Sequence, residues 1–167
     1  SVTTLDSTTA RLLDPRAPSP DRRLEAVRKL SEAGIYVHVN IAPVVPGITD
    51  HEIEAIVAAA ADCGASSISF IPMRLPHEVA PLFEQWLESH YPERKSKVMS
   101  IVRQMRGGKR NDPEFHSRMR GQGPWADLIR TRLTIASRKA GLNKAKITLR
   151  TDLFRRPIIS GSQMDLF

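Results

Sequence analysis

Cys63 is the only cysteine in 167 residues, and that scarcity removes several chemistries at once. A lone thiol builds no disulfide framework and no CxxC zinc site within one chain, cannot hold an iron–sulfur cluster, and makes a reducing cytoplasm the expected compartment. Long apolar runs are missing too. No stretch of roughly 18 apolar residues and no charged-then-apolar leader with a small-residue cleavage site occurs, so a soluble, cytoplasmic protein with no membrane partner is expected. Neither GxGxxG nor GKS/T is present, which weakens a reading as a phosphate-binding enzyme of the general α/β barrel kind. No internal repeat is found, and the one compositionally biased stretch is the Pro-rich turn at 14–20.

What is there is ordinary globular composition, 41% hydrophobic and 26% charged, sufficient for one core with a tail. Lysine and arginine outnumber aspartate and glutamate 25 to 18, for a formal charge of +7. That balance favours polyanion partners such as nucleic acid.

Ser1 to Leu5 reads as strand, running into a turn at Asp6-Ser7. Ser19 then caps a helix with Pro20 at its first position, and Leu24, Val27 and Leu30 share a face up to a left-handed stop at Gly34. Ile35 to Ala42 follows as a strand. Thr49 to Glu52 has the spacing of a capping box, with Ile53, Ile56, Val57 and Ala60 as the buried stripe and Gly64 as the stop. Ser66 to Ile71 is the next strand. Strands alternating with helices imply parallel pairing, and the bare edge of the first strand leads us to expect further strands before Ser1. Beyond Pro76 the pattern is helical: Val79, Leu82, Phe83, Trp86 and Leu87 form one stripe, Val98, Ile101, Val102 and Met105 another. A last helix from Pro124 to Ala140 turns Trp125, Leu128, Ile129 and Leu133 inward. Little packed structure is expected from Asn143 onward.

Parallel α/β folds bind ligands at the carboxyl ends of their strands, which directs attention to 3–6, 40–47 and 71–76. His38 and Asn40 alternate with Val37 and Val39, so one face of that strand is polar. For His38 the competing reading is a strand histidine with a satisfied hydrogen bond; for Pro43 to Gly47 it is a loop merely shaped by proline and glycine.

The stretch with Pro43, Pro46, Gly47 and Asp50 after a strand resembles the PxxPGxxD segment of many radical S-adenosylmethionine (radical SAM) enzymes. Together with Thr3 to Asp6, Pro15 to Pro18, Arg74-Leu75-Pro76, Arg106-Gly107-Gly108 and Arg118 to Gly121, it resembles more closely the DNA repair photolyase group related to spore photoproduct lyase, over about residues 1–142. The resemblance implies the carboxyl-terminal part of a partial (β/α)6 TIM-type barrel, with about three parallel strands, followed by an all-helical extension. It also implies that the parent protein binds S-adenosylmethionine and a 4Fe-4S cluster, the latter on a CxxxCxxC loop in a missing amino-terminal half. This chain has no such loop, so alone it is expected to be catalytically inert. Thr3, His38, Asn40 and Arg74 are the positions that the resemblance places against the cofactor.

Between Arg94 and Arg120 nine basic residues stand against Asp112 and Glu114, with Phe115 and His116 interleaved. Arg103, Arg106, Lys109, Arg110, Arg118 and Arg120 are the candidate phosphate contacts, and Phe115 a candidate stacking ring. The terminal segment Gln163, Met164, Asp165, Leu166, Phe167 resembles the motif with which bacterial repair proteins engage the β sliding clamp. Its apolar pair would fill a pocket and Gln163 would hydrogen-bond beside it. The expected organisation is thus 1–76 as barrel half, 77–142 as helical extension with a basic loop at 106–123, and 143–167 as tail. The leading expectation is a fragment of a radical SAM lyase acting on or near nucleic acid. The rival is a noncatalytic DNA-binding or clamp-docking module.

Overall fold

The computed structural model describes residues 1–115, 117–144, 148 and 151–155. Among these the chain forms α1 (Ser7–Leu13), α2 (Pro20–Glu32), β1 (His38–Val44), a 3₁₀ turn (Asp50–Glu52), α3 (Ile53–Asp62), β2 (Ser67–Pro72), α4 (Val79–His90), α5 (Lys95–Gln104) and α6 (Pro124–Lys139). This is a mixed α/β arrangement of six α-helices on a two-stranded parallel sheet. His38 stands opposite Ser67 and Ile41 opposite Phe70, with a register shift between Ile41 and Val44, where the cis Ala42–Pro43 peptide lies. No described helix is long and apolar enough to cross a membrane.

Strand alternation sorts the sheet into two faces. Val39, Ile41 and Ile68 are buried against α3 and α6, forming one core with Ile53, Ile56 and Ile129. A second core lies beyond the strand ends, where Val45, Ile48 and Leu75 meet α4 and α5. Trp125 packs against both. The caps follow the sequence: Ser19 accepts from the Arg22 amide at 3.5 Å, and Gly34 takes φ +74°. Gly64, at φ +83°, admits no side chain, because a Cβ there would stand 2.3 Å from Ser31 Oγ.

Several expectations are corrected. Ser1 to Leu5 runs beside β1 but is not a strand: one ladder bond forms, Val2 N to Asn40 O at 2.9 Å. Side chains replace the rest, Thr3 Oγ1 donating to Ala42 O at 2.8 Å and Leu5 N donating to Glu52 Oε2 at 2.6 Å. Asp6 opens a helix rather than a turn, its carboxylate accepting from the amides of Thr8 and Thr9 at α1. The capping box does not form. Thr49 Oγ1 accepts from Val45 N at 2.9 Å, and Glu52 reaches away from its own helix to residues 4 and 5. The strand expected at 35–42 begins at His38, leaving Ile35 and Tyr36 exposed. Leu128 is 55% and Leu82 61% exposed, so each lies at the margin of its stripe rather than inside it. Asn143 packs after all, its amide donating to Ser66 O while its side chain both accepts from and donates to the Ile68 backbone. An asparagine side chain thereby occupies the outer edge of β2 as a neighbouring strand would.

Candidate functional site

The carboxyl ends of the strands meet around the turn at 45–50, which is tied from four directions. Gly47 N donates to Asp50 Oδ1 at 2.9 Å, while the other Asp50 oxygen accepts from Trp125 Nε1 of α6 at 3.2 Å. Arg94, at the start of α5, donates to Gly47 O at 3.0 Å. Glu52 completes the set by holding the Thr4 hydroxyl and the Leu5 amide, each at 2.6 Å. Proline and glycine shape this turn, and helices from the second half of the chain are anchored on it.

The sheet face opposite α3 and α6 is polar. His38 Nδ1 and Nε2 lie 2.7 and 2.8 Å from Ser67 Oγ and Ser69 Oγ, and Ser69 Oγ donates to Asn40 Oδ1 at 3.2 Å. The structure thus joins His38 and Asn40 through two serines that sequence reasoning passed over; their register opposite His38 and Asn40 was the signal that could have found them. Both ring nitrogens of His38 are engaged, as the bland reading of that residue requires. One residue pair further along, Ala42 on the same face lines a groove of about 590 Å³ with Thr3, Pro43, Met73, Leu82 and Trp86. Thr3 is therefore in the groove, Asn40 lies below it on the same face, and His38 stands at the far end of β1. Trp86 fixes the wall, donating to Leu12 O at 2.9 Å and stacking on Phe83 with centroids 5.5 Å apart.

Arg74 points elsewhere. Its Nη1 lies 3.2 Å from Met119 Sδ, in the loop between α5 and α6. That loop is riveted to the end of β2 by Arg106, which is 2% exposed. Its guanidinium donates to Pro72 O at 3.3 Å, Met73 O at 3.0 Å and Arg118 O at 2.7 Å. Burial lowers the pKa of Arg106, with Asp112 opposing that shift and Arg74 adding to it. Arg106 faces inward and serves the fold, not the surface proposed for phosphate. Arg103 and Arg110 are exposed but share Glu84 at 4.0 and 3.2 Å. Lys109, Arg118 and Arg120 have no carboxylate within 4.0 Å among the described residues. Arg118 stands 4.9 Å over the ring of Phe115. The segment after Asp112 is a turn, with Asp112 accepting from Glu114 N and Ser117 Oγ; these two bonds, the Ser117 one foremost, hold its carboxyl below its usual pKa.

No group of three His, Cys, Asp or Glu side chains able to hold a metal occurs among the described residues. Cys63 is buried at the end of α3, away from the strand carboxyl ends, with Arg28 Nη2 at 3.6 Å from its sulfur. One buried thiol does not fit an iron–sulfur cluster. His116 and residues 163–167 lie outside the described residues, so the clamp-like segment has no structural account.

Residues 1–60 match the family model described as the Radical SAM superfamily. An uncharacterized protein of Acidianus two-tailed virus is 37% identical over 73 residues, covering 41% of this chain and 24% of that protein. Uncharacterized proteins of Mycobacterium tuberculosis and Mycobacterium bovis are 28% identical over 88 residues, covering 52% of this chain and 26% of theirs. The chain spans about a quarter of the length of the curated relatives it matches. No solved structure gives a significant match. The family match supports a radical SAM protein, a family whose members use S-adenosylmethionine and a 4Fe-4S cluster.

Proposed function

We propose that this chain is the carboxyl-terminal part of a radical SAM enzyme that acts on nucleic acid, in the manner of the group related to spore photoproduct lyase. The observation that carries this reading is the coincidence of the family match at 1–60 with the residues that wall the groove: Thr3, Ala42 and Pro43. When bound, S-adenosylmethionine would supply radical hydrogen-abstraction chemistry, with the electron coming from a reduced cluster held elsewhere in the protein. The residues of this chain fit the organic part of that cofactor, since the groove has an apolar wall for a flat ring and the Thr3 hydroxyl at its rim, with the Asn40 amide on the face below. They do not fit the cluster, which the rest of the protein would have to hold. What this chain does is bind and orient. Glu52 fixes the segment carrying Thr3 against the turn at 45–50, and α4 closes the groove with Leu82 and Trp86. The basic loop at 106–123, fastened to the same strand ends, would bring a polyanion beside the groove.

The test is to express the gene with whatever precedes Ser1 under anaerobic conditions, and to measure iron and 5′-deoxyadenosine formation under dithionite. One 4Fe-4S cluster per chain with cofactor cleavage is expected. No cluster and no cleavage would sink this reading and leave the docking module, whose basic loop needs no cofactor.

A further inference from the structure

Resting on the reading that this protein meets nucleic acid, we infer that the loop between α5 and α6 receives an unpaired strand, with Phe115 and Arg118 as a base-stacking platform and Lys109 and Arg120 as phosphate contacts. Phe115 is 71% exposed, an apolar ring displayed at the tip of a loop otherwise rich in basic residues. The Arg118 guanidinium lies over one face of that ring at 4.9 Å, so cation and ring form a stacked pair that a base would extend. Every base has a π-face, and such a surface takes any of them without reading sequence.

The platform is held rather than loose. The Asp112 carboxylate accepts from the Glu114 amide and the Ser117 hydroxyl, which shapes the turn that presents Phe115. Arg106 takes the Arg118 carbonyl at 2.7 Å while holding the carbonyls of Pro72 and Met73. Gly121 lies against the end of β2, where a Cβ would meet Pro72 Cγ at 3.3 Å. The loop is thereby fixed to the strand ends, and a base on Phe115 belongs to a strand that passes the groove.

Charge selects the polymer. Glu84 is shared by Arg103 and Arg110 and offsets one of their two charges, whereas Lys109 and Arg120 are exposed with no carboxylate within ion-pair distance among the described residues. An unpaired strand fits better than a duplex for a geometric reason. Stacking on a protruding ring requires a base already free of its partner, which an unpaired strand offers along its length and an intact duplex does not.

The experiment uses the full protein and a fluorescein-labelled dT20 oligonucleotide, with the matched duplex as comparison, followed by anisotropy at several salt concentrations. Phe115→Ala is expected to weaken dT20 binding by roughly 5- to 100-fold at all salt concentrations, with duplex binding changed less than about twofold. Phe115→Trp should retain the affinity, and Arg120→Ala should give a loss that shrinks as salt rises. Equal losses on both polymers, an unchanged Phe115→Ala variant, or no dT20 binding would overturn the platform. Phe115 contacts Arg118, so the Phe115→Trp variant, which keeps an aromatic ring there, separates loss of stacking from a change of loop shape. Cofactor cleavage is read separately on the same sample: cleavage without strand binding refutes only the platform, and strand binding without cleavage refutes only the radical reading.

Discussion

Glu52 is the residue whose replacement tests the architecture most directly, because one carboxylate joins two segments 47 residues apart. Its Oε1 accepts from the Thr4 hydroxyl and its Oε2 from the Leu5 amide, both at 2.6 Å, and Thr4 Oγ1 in turn accepts from Asp6 N at 3.0 Å. Asp6 then caps α1, so the effect of Glu52 extends to the helix that walls the groove. Thr4 is 1% exposed, and water does not readily replace the lost partner. Hydrogen bonds to a charged group contribute about 1.5–3 kcal/mol each, so Glu52→Ala should cost about 3–5 kcal/mol, a large share of the roughly 5–15 kcal/mol that hold a domain together. Glu52→Gln keeps the shape and one acceptor. Its amide can donate to Thr4 Oγ1 while its oxygen serves Leu5, so the cost falls to about 1 kcal/mol. Urea unfolding gives the two values, and hydrogen exchange at the Leu5 and Asp6 amides locates the change. If Glu52→Ala unfolds within about 0.5 kcal/mol of the wild type, or if the glutamine variant is as poor as the alanine, the clamp is not holding this segment.

Other perturbations have equally definite outcomes. Gly64→Ala should cost about 1–3 kcal/mol in the same urea titration, since φ +83° and a 2.3 Å approach to Ser31 Oγ both oppose a Cβ. Glu54 pairs with Arg132 through both oxygens, at 2.8 and 2.5 Å, and the hydrogen bond from Arg132 holds the Glu54 carboxyl below its ordinary 4.5. A depressed carboxyl stabilises the fold above its unfolded value and loses that contribution as pH falls through the folded one, so the gain fades below about pH 4.5. With the Glu54 side chain 50% exposed the gain stays under about 1 kcal/mol, and Glu54→Gln should flatten the acid limb of a stability profile by no more than that. Arg106→Lys keeps the charge but not the three-pronged reach; faster hydrogen exchange at the Arg120 and Gly121 amides is expected, with dT20 affinity reduced. Leu166→Ala with Phe167→Ala should lower binding of the full protein to a bacterial β sliding clamp at least about tenfold in a surface-capture assay, and equal binding would retire the clamp expectation.

The fold was legible where periodicity and capping agree. α2, α3 and α6 lie within a few residues of their expected spans because each has an apolar stripe and a glycine or proline at its boundary. Misreadings cluster where a side chain competes with the backbone. Asp6 reads as a turn residue but caps α1 through amides two and three residues on, whereas Glu52, at a capping-box position, finds partners by criteria that spacing does not contain. For Glu52 the winning partners are Thr4 and Leu5, which reach it only after β1 has placed the two segments side by side. Likewise Ser1 to Leu5 has strand composition, but with threonine hydroxyls and a glutamate supplying its hydrogen bonds the ladder stops after Val2.

The site was legible in residue type more than in role. Asn40 reached the face below the groove because alternation from a buried Val39 and Ile41 fixes which side it faces, and Thr3 reached the groove through its hydrogen bond to Ala42 O. Arg106 shows the opposite case, since a basic residue in a basic glycine-rich segment reads as a surface cation in any sequence. Its burial becomes sensible only in three dimensions. Carrying a guanidinium to 2% exposure is costly, and an apolar residue of similar volume would often be at least as stable in its place. What an apolar residue cannot do is donate to the carbonyls of Pro72, Met73 and Arg118 at once. Arg106 therefore exchanges some stability for a fixed relation between the end of β2 and the loop carrying Phe115, and that relation matters only if what the loop binds must arrive at the strand ends in a definite orientation.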